Sequence, residues 1–307
     1  MILFVSGRTD IPAYYAKWFA NRVEAGFVDT RNPHAYSLVS RIYFKDVELI
    51  LFCSKYPRPL LEHLPLIDEK LPKVAKLFQI TVTPYKTDLE PVVGSHKKEV
   101  IEDIKALSER YGRECVYVRF DPIIKSQTYT IDYHIRAFKR LMDLVGDHIE
   151  AVVISFLDVY KNTRKNASKI GFLEFNEDDY KQIGLNFSSI AHSKGVRIFT
   201  CSEKRNQSEY GFDIDFCLSE QKAASLIKRS NPDALPVFKK QTARESPYCH
   251  CVQTVDIGEY CSCPSKCLYC YANFDEDKVV GECKKHLDNR SLLIGKFEPS
   301  DKLKIRR

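Results

Sequence analysis

The chain has 307 residues, of which 44% are hydrophobic and 29% are charged, and its formal net charge is +6. This length allows one large domain or two smaller ones, and the composition is ordinary for a globular protein without low-complexity tracts. No apolar run approaches the about 18 residues of a membrane span, and the mild positive charge permits an anionic substrate without requiring one. Because Met1–Arg8 lacks a basic leader and the cysteine count is odd, we predict a cytoplasmic protein with no membrane partner.

Short apolar runs rich in Val, Ile and Phe alternate with amphipathic stretches over residues 1–229. Such runs are typical of strands that are buried on both faces of a parallel sheet. We predict strands at Ile2–Val5, Leu49–Phe52, Leu77–Val82, Val116–Phe120, Ala151–Phe156 and Arg197–Thr200, with a weaker seventh at Asp213–Leu218.

Between these strands, apolar residues recur at the spacing of three and four that predicts amphipathic helices. Repeated strand–helix units indicate an α/β fold, and about seven of them favour a complete or partial (β/α) barrel over an open sheet. Ser37–Phe44 is predicted to form an additional hairpin arm. We predict helices at Val100–Leu107, Ile131–Val145 and Tyr180–Ile190, each followed by a glycine that can end it, namely Gly112, Gly146 and Gly195.

The character of the chain changes near Ser230, where prolines interrupt it and the cysteines begin. Seven of the eleven cysteines follow residue 248. We therefore predict a (β/α) barrel over residues 1–229 and an irregular cysteine-rich module over residues 230–307 that packs on the mouth of the barrel. The last residues, Ser300–Arg307, are expected to form a loose basic tail.

Polar side chains follow the predicted strands at their carboxyl ends, where parallel barrels build their active sites. Together they could clamp a carboxylate, a phosphate or a ribose. The alternative is that they pair with one another at the rim of the barrel, that the aspartates cap turns, and that the cysteine is a small core residue. The candidate catalytic residues of this set are Arg8, Asp10, Asp121, Cys201 and Glu203.

Three cysteines form the motif Cys263-x-x-x-Cys267-x-x-Cys270. Three thiolates at that spacing can hold three irons of a [4Fe–4S] cube and leave the fourth iron open to a small molecule. Two alternatives stay open: four of the clustered cysteines could hold a structural zinc ion, or all of them could be reduced thiols. The aromatic Tyr269, directly before the third cysteine, strengthens the first interpretation.

The string Cys263–Ala272 resembles the signature of the radical S-adenosylmethionine (SAM) enzymes and is closest to the spore photoproduct lyase branch. The resemblance implies that Cys263, Cys267 and Cys270 ligate the cluster, that SAM chelates the open iron, and that Tyr269 lies against the adenine. It also implies an electron from an external donor such as flavodoxin or ferredoxin, and a 5′-deoxyadenosyl radical that abstracts hydrogen from the substrate. Ser265-Lys266 departs from the His-Gly of that branch, which removes a glycine from the loop.

A second stretch is similar to consecutive strands of a radical-SAM barrel: Gln79–Thr83, then Leu89–Pro91, a helix, and Val118–Ile123. This similarity implies that strand-end polar groups hold SAM. The residues that it suggests are Thr83, Arg119 and Ser155.

Over nearly its whole length the chain also resembles an uncharacterised family, domain of unknown function 1848. That resemblance implies a radical-SAM-like fold in which the cluster motif has moved to the carboxyl end, a permuted arrangement. It supplies no reaction. The strings that carry it are Ser6–Pro12, Arg119–Pro122, Thr200–Glu203, Asp256–Gly258 and the terminal cysteine-rich run.

The remaining cysteines leave other roles open. Cys249 and Cys251, with Cys261 or Cys201, could hold a second metal or provide a redox pair. A barrel protein stapled by structural zinc is one alternative to the radical enzyme, and a protein that repairs or modifies nucleic acid is another. The substrate, a small molecule or a nucleic acid, is not named by the sequence.

Overall fold

The computed structural model describes residues 1–158, 161–240 and 248–306. The described residues form two sheets, one with seven strands and one with three. The strands are β1 (Ile2–Val5), β2 (Phe27–Asn32), β3 (Ala35–Tyr43), β4 (Leu49–Ser54), β5 (Ala75–Thr81), β6 (Val116–Ile123), β7 (Ala151–Phe156), β8 (Arg197–Thr200), β9 (Val255–Asp256) and β10 (Lys302–Arg306).

Helices lie between all successive strands of the larger sheet, and one more follows β9. The predicted helices around Val100–Leu107, Ile131–Val145 and Tyr180–Ile190 are confirmed as parts of α5 (Lys97–Tyr111), α6 (Ile131–Val145) and α9 (Glu177–Ser193). No helix in the described part of the chain is long and apolar enough to cross a membrane. The helices are α1 (Ile11–Tyr14), α2 (Ala16–Ala25), α3 (Arg58–Leu61), α4 (Leu64–Lys70), α5 (Lys97–Tyr111), α6 (Ile131–Val145), α7 (Lys161–Lys165), α8 (Ala167–Ile170), α9 (Glu177–Ser193), α10 (Glu220–Ser230) and α11 (Glu276–Cys283).

The seven-stranded sheet is entirely parallel and has the order β8-β7-β6-β5-β4-β1-β9. Its register aligns Leu3 with Ile50 and Ile50 with Lys76. From β4 to β8 each strand lies beside the strand that precedes it along the chain, an order that successive strands of a barrel also follow. The α/β fold is therefore consistent with a partial barrel. Among the described residues, β8 and β9 are its two edges and do not pair with each other.

The two faces of this sheet are buried by different elements because side chains alternate along each strand. Phe52 and Phe78 lie on the face that is covered by α2, α4, α5, α6 and α9, and their rings stack with centroids 5.2 Å apart. Leu51 and Leu77 lie on the other face, where α10 packs with Leu226. The second face is here called the interior face, and α10 covers part of it.

The hairpin arm predicted at Ser37–Phe44 is confirmed, since β3 pairs antiparallel with β2. The predicted loose tail at Ser300–Arg307 is wrong for residues 302–306, because β10 pairs parallel with β3. Arg31 on β2 helps to hold the incoming chain through a buried ion pair with Asp301, with 2.6 Å between Nη1 and Oδ1. Basic composition alone could not reveal this pairing.

The weak seventh strand predicted at Asp213–Leu218 is also wrong. These residues form a loop that crosses the interior face of the sheet, where Cys217 and Leu218 are buried. Gln79 Nε2 donates to the Cys217 carbonyl oxygen at 2.6 Å. The seventh strand is instead β9, which lies beside β1 and belongs to the part of the chain predicted as the cysteine-rich module.

Candidate active site

The loop of residues 257–274, here called the cysteine loop, follows β9 at the carboxyl ends of the parallel strands. Leu268 N donates to the Leu89 carbonyl oxygen at 3.0 Å, and Asn166 Nδ2 donates to the Leu268 carbonyl oxygen at 2.7 Å. Tyr271 donates its hydroxyl hydrogen to the Gly7 carbonyl oxygen. Contacts after β1, after β5 and near α8 therefore fix the loop over the mouth of the sheet.

Two tyrosines near α1 hold the cysteine loop from another side. The hydroxyl oxygen of Tyr14 lies 2.9 Å from Ser265 Oγ, and Tyr15 donates to the Ser262 carbonyl oxygen at 2.5 Å. Burial raises the pKa of both tyrosines, so both hydroxyls remain protonated at neutral pH. The loop that carries the motif is thus anchored directly before Cys263 and again between Cys263 and Cys267.

The three thiols of the motif lie within electrostatic reach of one another. Cys263 is buried, whereas Cys267 and Cys270 are half-buried. Burial raises the pKa of Cys263 to about 12 and that of Cys267 well above its ordinary value, and the charges of other motif thiols add to both shifts. Ala272 N lies 3.4 Å from Cys270 Sγ and donates to it. A metal that binds here must therefore displace protons from the thiols.

The donor set of the motif is three thiols, which are the ligands that iron–sulfur clusters use. Within residues 1–158, 161–240 and 248–306, no three His, Cys, Asp or Glu side chains are gathered closely enough for a single metal ion. The N–H donated to Cys270 Sγ and the positive charge of Lys55 beside Cys267 are features that stabilise a cluster's thiolates.

A fully buried carboxylate, Glu90, lies between two lysines beside the cysteine loop. Lys55 Nζ is 3.0 Å from Glu90 Oε1, and Lys97 donates to Glu90 Oε2. Thr83 Oγ1 donates to Glu90 Oε1 at 2.7 Å, and the Tyr269 hydroxyl donates to the same oxygen. Lys55 Nζ is also 2.9 Å from the Tyr269 hydroxyl oxygen. These five residues are here called the Glu90 cluster.

Charge attraction inside the Glu90 cluster outweighs burial for two of its members. Burial alone would raise the pKa of Glu90, but Lys55 and Lys97 lower it to about 2. Burial alone would lower the pKa of Lys55, but Glu90 and then Cys267 raise it. For Lys97 burial prevails and lowers the pKa. With two ammonium groups and one carboxylate, the cluster places net positive charge beside Cys267.

Asp10, a predicted catalytic residue, connects the ends of β1 and β4. Its carboxylate accepts from Ala13 N at 3.1 Å, from Ser54 Oγ at 2.7 Å and from Lys55 N at 2.8 Å. Burial raises the pKa of Asp10 to about 6 in spite of these donors. Its contacts fix the backbone of Lys55 and so help to position the Glu90 cluster.

Arg8, another predicted catalytic residue, contacts Asp256 of β9. Arg8 Nη2 donates to the Asp256 carbonyl oxygen at 2.7 Å. The Asp256 carboxylate accepts from Ser6 Oγ at 2.7 Å and from Gly7 N at 2.9 Å. These contacts join the residues that follow β1 to the start of the cysteine loop.

Gly258 packs directly against Ser6, and its replacement provides a test of this contact. A Cβ atom at Gly258 would lie 1.9 Å from Ser6 Oγ, so Gly258→Ala is expected to destabilise the fold by about 1–3 kcal/mol. Urea denaturation measures the change. In α11 a Cβ atom at Gly281 meets nothing within 4 Å, so Gly281→Ala should leave stability unchanged or raise it by up to about 1 kcal/mol. Equal midpoints for the two variants would contradict the prediction.

Arg119 and Asp121 form an ion pair on the interior face of β6. Arg119 Nη1 also donates to Gln79 Oε1 at 2.9 Å. Burial alone would lower the pKa of Arg119, but Asp121 and then Cys201 raise it well above its ordinary value. The alternation along β7 directs Ser155, a predicted SAM-binding residue, to the same interior face.

Glu203 follows β8 at one edge of the sheet, whereas Glu90 follows β5 in the middle of the strand order. It accepts from Phe156 N at 2.9 Å. Burial raises its pKa to about 8, and the charges of Cys201 and Asp121 are among those that add to the shift. Glu203 is therefore protonated at neutral pH and can donate a hydrogen bond or a proton.

The structure brings the predicted residues together in two groups at one mouth. Thr83 and Tyr269 lie in the Glu90 cluster beside the cysteines, and Asp121, Arg119, Cys201 and Glu203 lie around the interior ends of β6, β7 and β8.

Sequence analysis missed the roles of Lys97, Glu90 and Asp256. One signal was available: Lys97 begins α5, where a cation opposes the helix dipole and therefore needs another partner.

A family model described as a domain of unknown function (DUF1848) matches residues 2–272, a range that includes all three motif cysteines. No curated protein matches the chain. The match covers the seven-stranded sheet and the cysteine loop up to Ala272, and the chain therefore belongs to the DUF1848 family.

Proposed function

We propose that this protein is an iron–sulfur enzyme of the radical-SAM type, in which Cys263, Cys267 and Cys270 hold a [4Fe–4S] cluster. When bound, such a cluster supplies an electron that cleaves SAM reductively and generates a radical able to abstract hydrogen. The observation that carries the proposal is the position of the three thiols at the carboxyl ends of a parallel sheet, beside the buried Glu90 cluster.

The strand order supports a permuted radical-SAM-like barrel. In the radical-SAM enzymes that the cysteine motif resembles, the cluster loop follows the first strand of the barrel. Here the cysteine loop follows β9, an edge strand that lies parallel to β1. If β9 is counted as the first strand, the remaining strands follow in chain order from β1 to β8. Moving one strand and its loop to the carboxyl end therefore accounts for the sequence order without changing the mouth of the barrel.

The side chains of the Glu90 cluster are proposed to position the cofactor. Tyr269 is 6% exposed, and its hydroxyl is fixed by Glu90 and Lys55, so its ring is held in place and would offer a fixed surface to the adenine of SAM. Thr83, Arg119 and Ser155 are the further residues proposed to hold SAM. The net positive charge beside Cys267 favours thiolates and any carboxylate brought near them.

The second group of residues is proposed to face the substrate. Glu203 holds a proton at neutral pH, and Asp121 is paired with Arg119, so one acid and one anion are available there. Cys201, Arg8 and Asp10 stay predictions as catalytic residues, with Asp10 acting on Lys55 through the backbone. We propose a cytoplasmic location and an external electron donor such as flavodoxin or ferredoxin, for which the half-buried Cys267 and Cys270 leave access.

Anaerobic preparation tests the proposal directly. Reconstituted protein is expected to be brown, to contain about four irons and four sulfides, and to form 5′-deoxyadenosine from SAM when a strong reductant is present. Metal analysis, a visible spectrum and chromatography of the nucleoside give the three readouts. Colourless protein with one zinc ion per chain after the same treatment would overturn the proposal and favour a structural metal site.

A further inference from the structure

Four other cysteines form a row inside the partial barrel, outside the proposed cluster site. Side-chain hydrogen bonds link the Cys217 thiol to those of Cys201 and Cys251, and link Cys251 in turn to Cys249. Cys217 and Cys251 are buried, whereas Cys201 and Cys249 are half-buried, and none of the four forms a disulfide. The contacts run from one thiol to the next, so the row has two accessible ends and a buried middle.

This row lies at the seam between β8 and β9, the two edges that do not pair in the described part of the sheet. Cys201 directly follows β8, and its N–H donates to the Ile154 carbonyl oxygen at 2.8 Å. Cys217 lies in the loop that crosses the interior, and Cys251 lies shortly before β9. Val252 N donates to the Leu218 carbonyl oxygen at 3.0 Å, so a backbone hydrogen bond joins the two segments directly after the two buried cysteines.

We propose that Cys217 and Cys251 form a thiol–disulfide exchange site whose disulfide closes the seam between β8 and β9, with Cys249 as the thiol that first meets the oxidant. The oxidant is a low-molecular-weight or protein disulfide. The inference concerns cysteines outside the motif and does not depend on the proposed cluster.

The geometry suits such a bond. Segments joined by a backbone hydrogen bond lie at about the 5 Å separation of neighbouring strands, which falls within the Cα separation that a disulfide requires. Within the described residues the thiols follow one another in a row and do not surround a point where one ion could bind. The pair is therefore better suited to a covalent S–S bond than to a shared metal ion.

The exchange balances in three steps. The Cys249 thiolate attacks the disulfide RSSR, which forms a mixed disulfide and releases one RSH after protonation. Cys251 attacks the Cys249 sulfur and releases the second RSH, and Cys217 then attacks Cys251 and returns Cys249 to its thiol form. In sum, two thiols and RSSR give one protein disulfide and two RSH, so the protein loses two hydrogens and RSSR is reduced.

Burial and hydrogen bonding keep Cys217 and Cys251 in the protonated thiol form. A hydrogen bond from Cys217 favours the Cys251 thiolate, but the bond to Cys249 and burial outweigh it and raise the pKa of Cys251 to about 11. The pKa of Cys217 is raised to about 11 as well, because its hydrogen bond with Cys251 and its burial outweigh its hydrogen bond with Cys201. Both are therefore thiols at neutral pH, and attack begins more readily at the accessible Cys249.

The test treats the full-length native protein with oxidised glutathione, blocks the remaining thiols, and maps disulfides by mass spectrometry without reduction. A Cys217–Cys251 cross-link is expected. The bond closes a loop of about 35 residues, so the thermal midpoint should rise by on the order of 5 °C and return after addition of dithiothreitol. Because the map identifies each cysteine, the result is independent of the state of Cys263, Cys267 and Cys270.

Variants sharpen the result. Cys249→Ser should slow formation of the cross-link at least tenfold, Cys251→Ser should abolish it, and Cys115→Ser, at a buried cysteine outside the row, should leave it unchanged. The proposal is overturned if oxidation gives only glutathione adducts, or if Cys249 pairs with Cys251 and Cys217 stays free to react. Since the wild-type map alone can give these outcomes, a variant that fails to fold does not remove the test.

Discussion

Glu90→Gln is expected to destabilise the protein by about 3 kcal/mol. The substitution keeps the size and one acceptor oxygen of the side chain but removes the only carboxylate between Lys55 and Lys97 in the Glu90 cluster. Glu90 is fully buried, so removal of its charge leaves two ammonium groups that repel each other where little water reaches them. Denaturant unfolding monitored by circular dichroism gives the free energy of unfolding.

Two control variants distinguish the effect of losing a buried charge from the general effect of replacing a carboxylate by an amide. Glu102→Gln, at a carboxylate that is 70% exposed and pairs with Arg58 on the surface, should change stability by less than about 0.5 kcal/mol. The double variant Glu90→Gln with Lys97→Met removes one of the two unpaired charges, so it should recover part of the loss. If Glu90→Gln is no less stable than Glu102→Gln, the assignment of a buried charge cluster fails.

The difference in stability between wild type and Glu90→Gln is expected to depend on pH. The pKa of Glu90 is lowered from its ordinary value of 4.5 to about 2, so the unfolded chain binds more protons than the folded chain between these values. The stability that ionised Glu90 contributes is therefore complete above pH 4.5 and is lost as the pH falls towards 2. The difference in stability between wild type and Glu90→Gln should narrow over this range.

Replacement of any motif cysteine is expected to abolish cluster binding and SAM cleavage. In Cys263→Ala, Cys267→Ala and Cys270→Ala, two thiolates would remain for a cube that needs three protein ligands. Iron content after anaerobic reconstitution and the yield of 5′-deoxyadenosine measure the effect. Far-ultraviolet circular dichroism of the metal-free proteins shows whether the fold is retained.

Cys261→Ala is the matched control for these variants. Cys261 lies in the same loop and is fully buried, and its sulfur accepts from Phe274 N at 3.4 Å, but it stands outside the motif. The variant should keep its iron and form the nucleoside. Full activity in Cys267→Ala, or loss of iron in Cys261→Ala with retention in Cys263→Ala, would show that the ligands have been misassigned.

The strands could be predicted where burial on both faces leaves a continuous apolar run. Val116–Phe120 and Ala151–Phe156 are such runs, and both lie in the sheet as expected. The strand predicted at Asp213–Leu218 was wrong because the apolar residues of this run are buried as a loop against the interior face. A run of this length does not distinguish a buried strand from a buried loop. β9 has only two residues and leaves almost no pattern to detect.

The site could be predicted only in part, because single residues reveal charge but not partners. The motif cysteines and Tyr269 were visible from spacing, whereas the pairing of Glu90 with Lys97 depends on how the loop after β5 meets the start of α5. The backbone conformation of Lys266 was likewise not visible from the sequence. The glycine absent from this position matters because Lys266 has a φ of 55°, in the left-handed region that favours glycine.

The pairing of β9 with β1 sets the earliest time during synthesis at which the complete mouth of the sheet can form. A growing chain exposes Gly7 and Arg8 about 250 residues before Asp256 and Cys263 leave the ribosome. At roughly 5–20 residues per second, this delay is on the order of 10–50 s. If the motif thiols bind iron as proposed, that binding must therefore follow translation of Cys270, and a ribosome stalled before residue 255 carries a polypeptide that lacks both β9 and the cysteine loop.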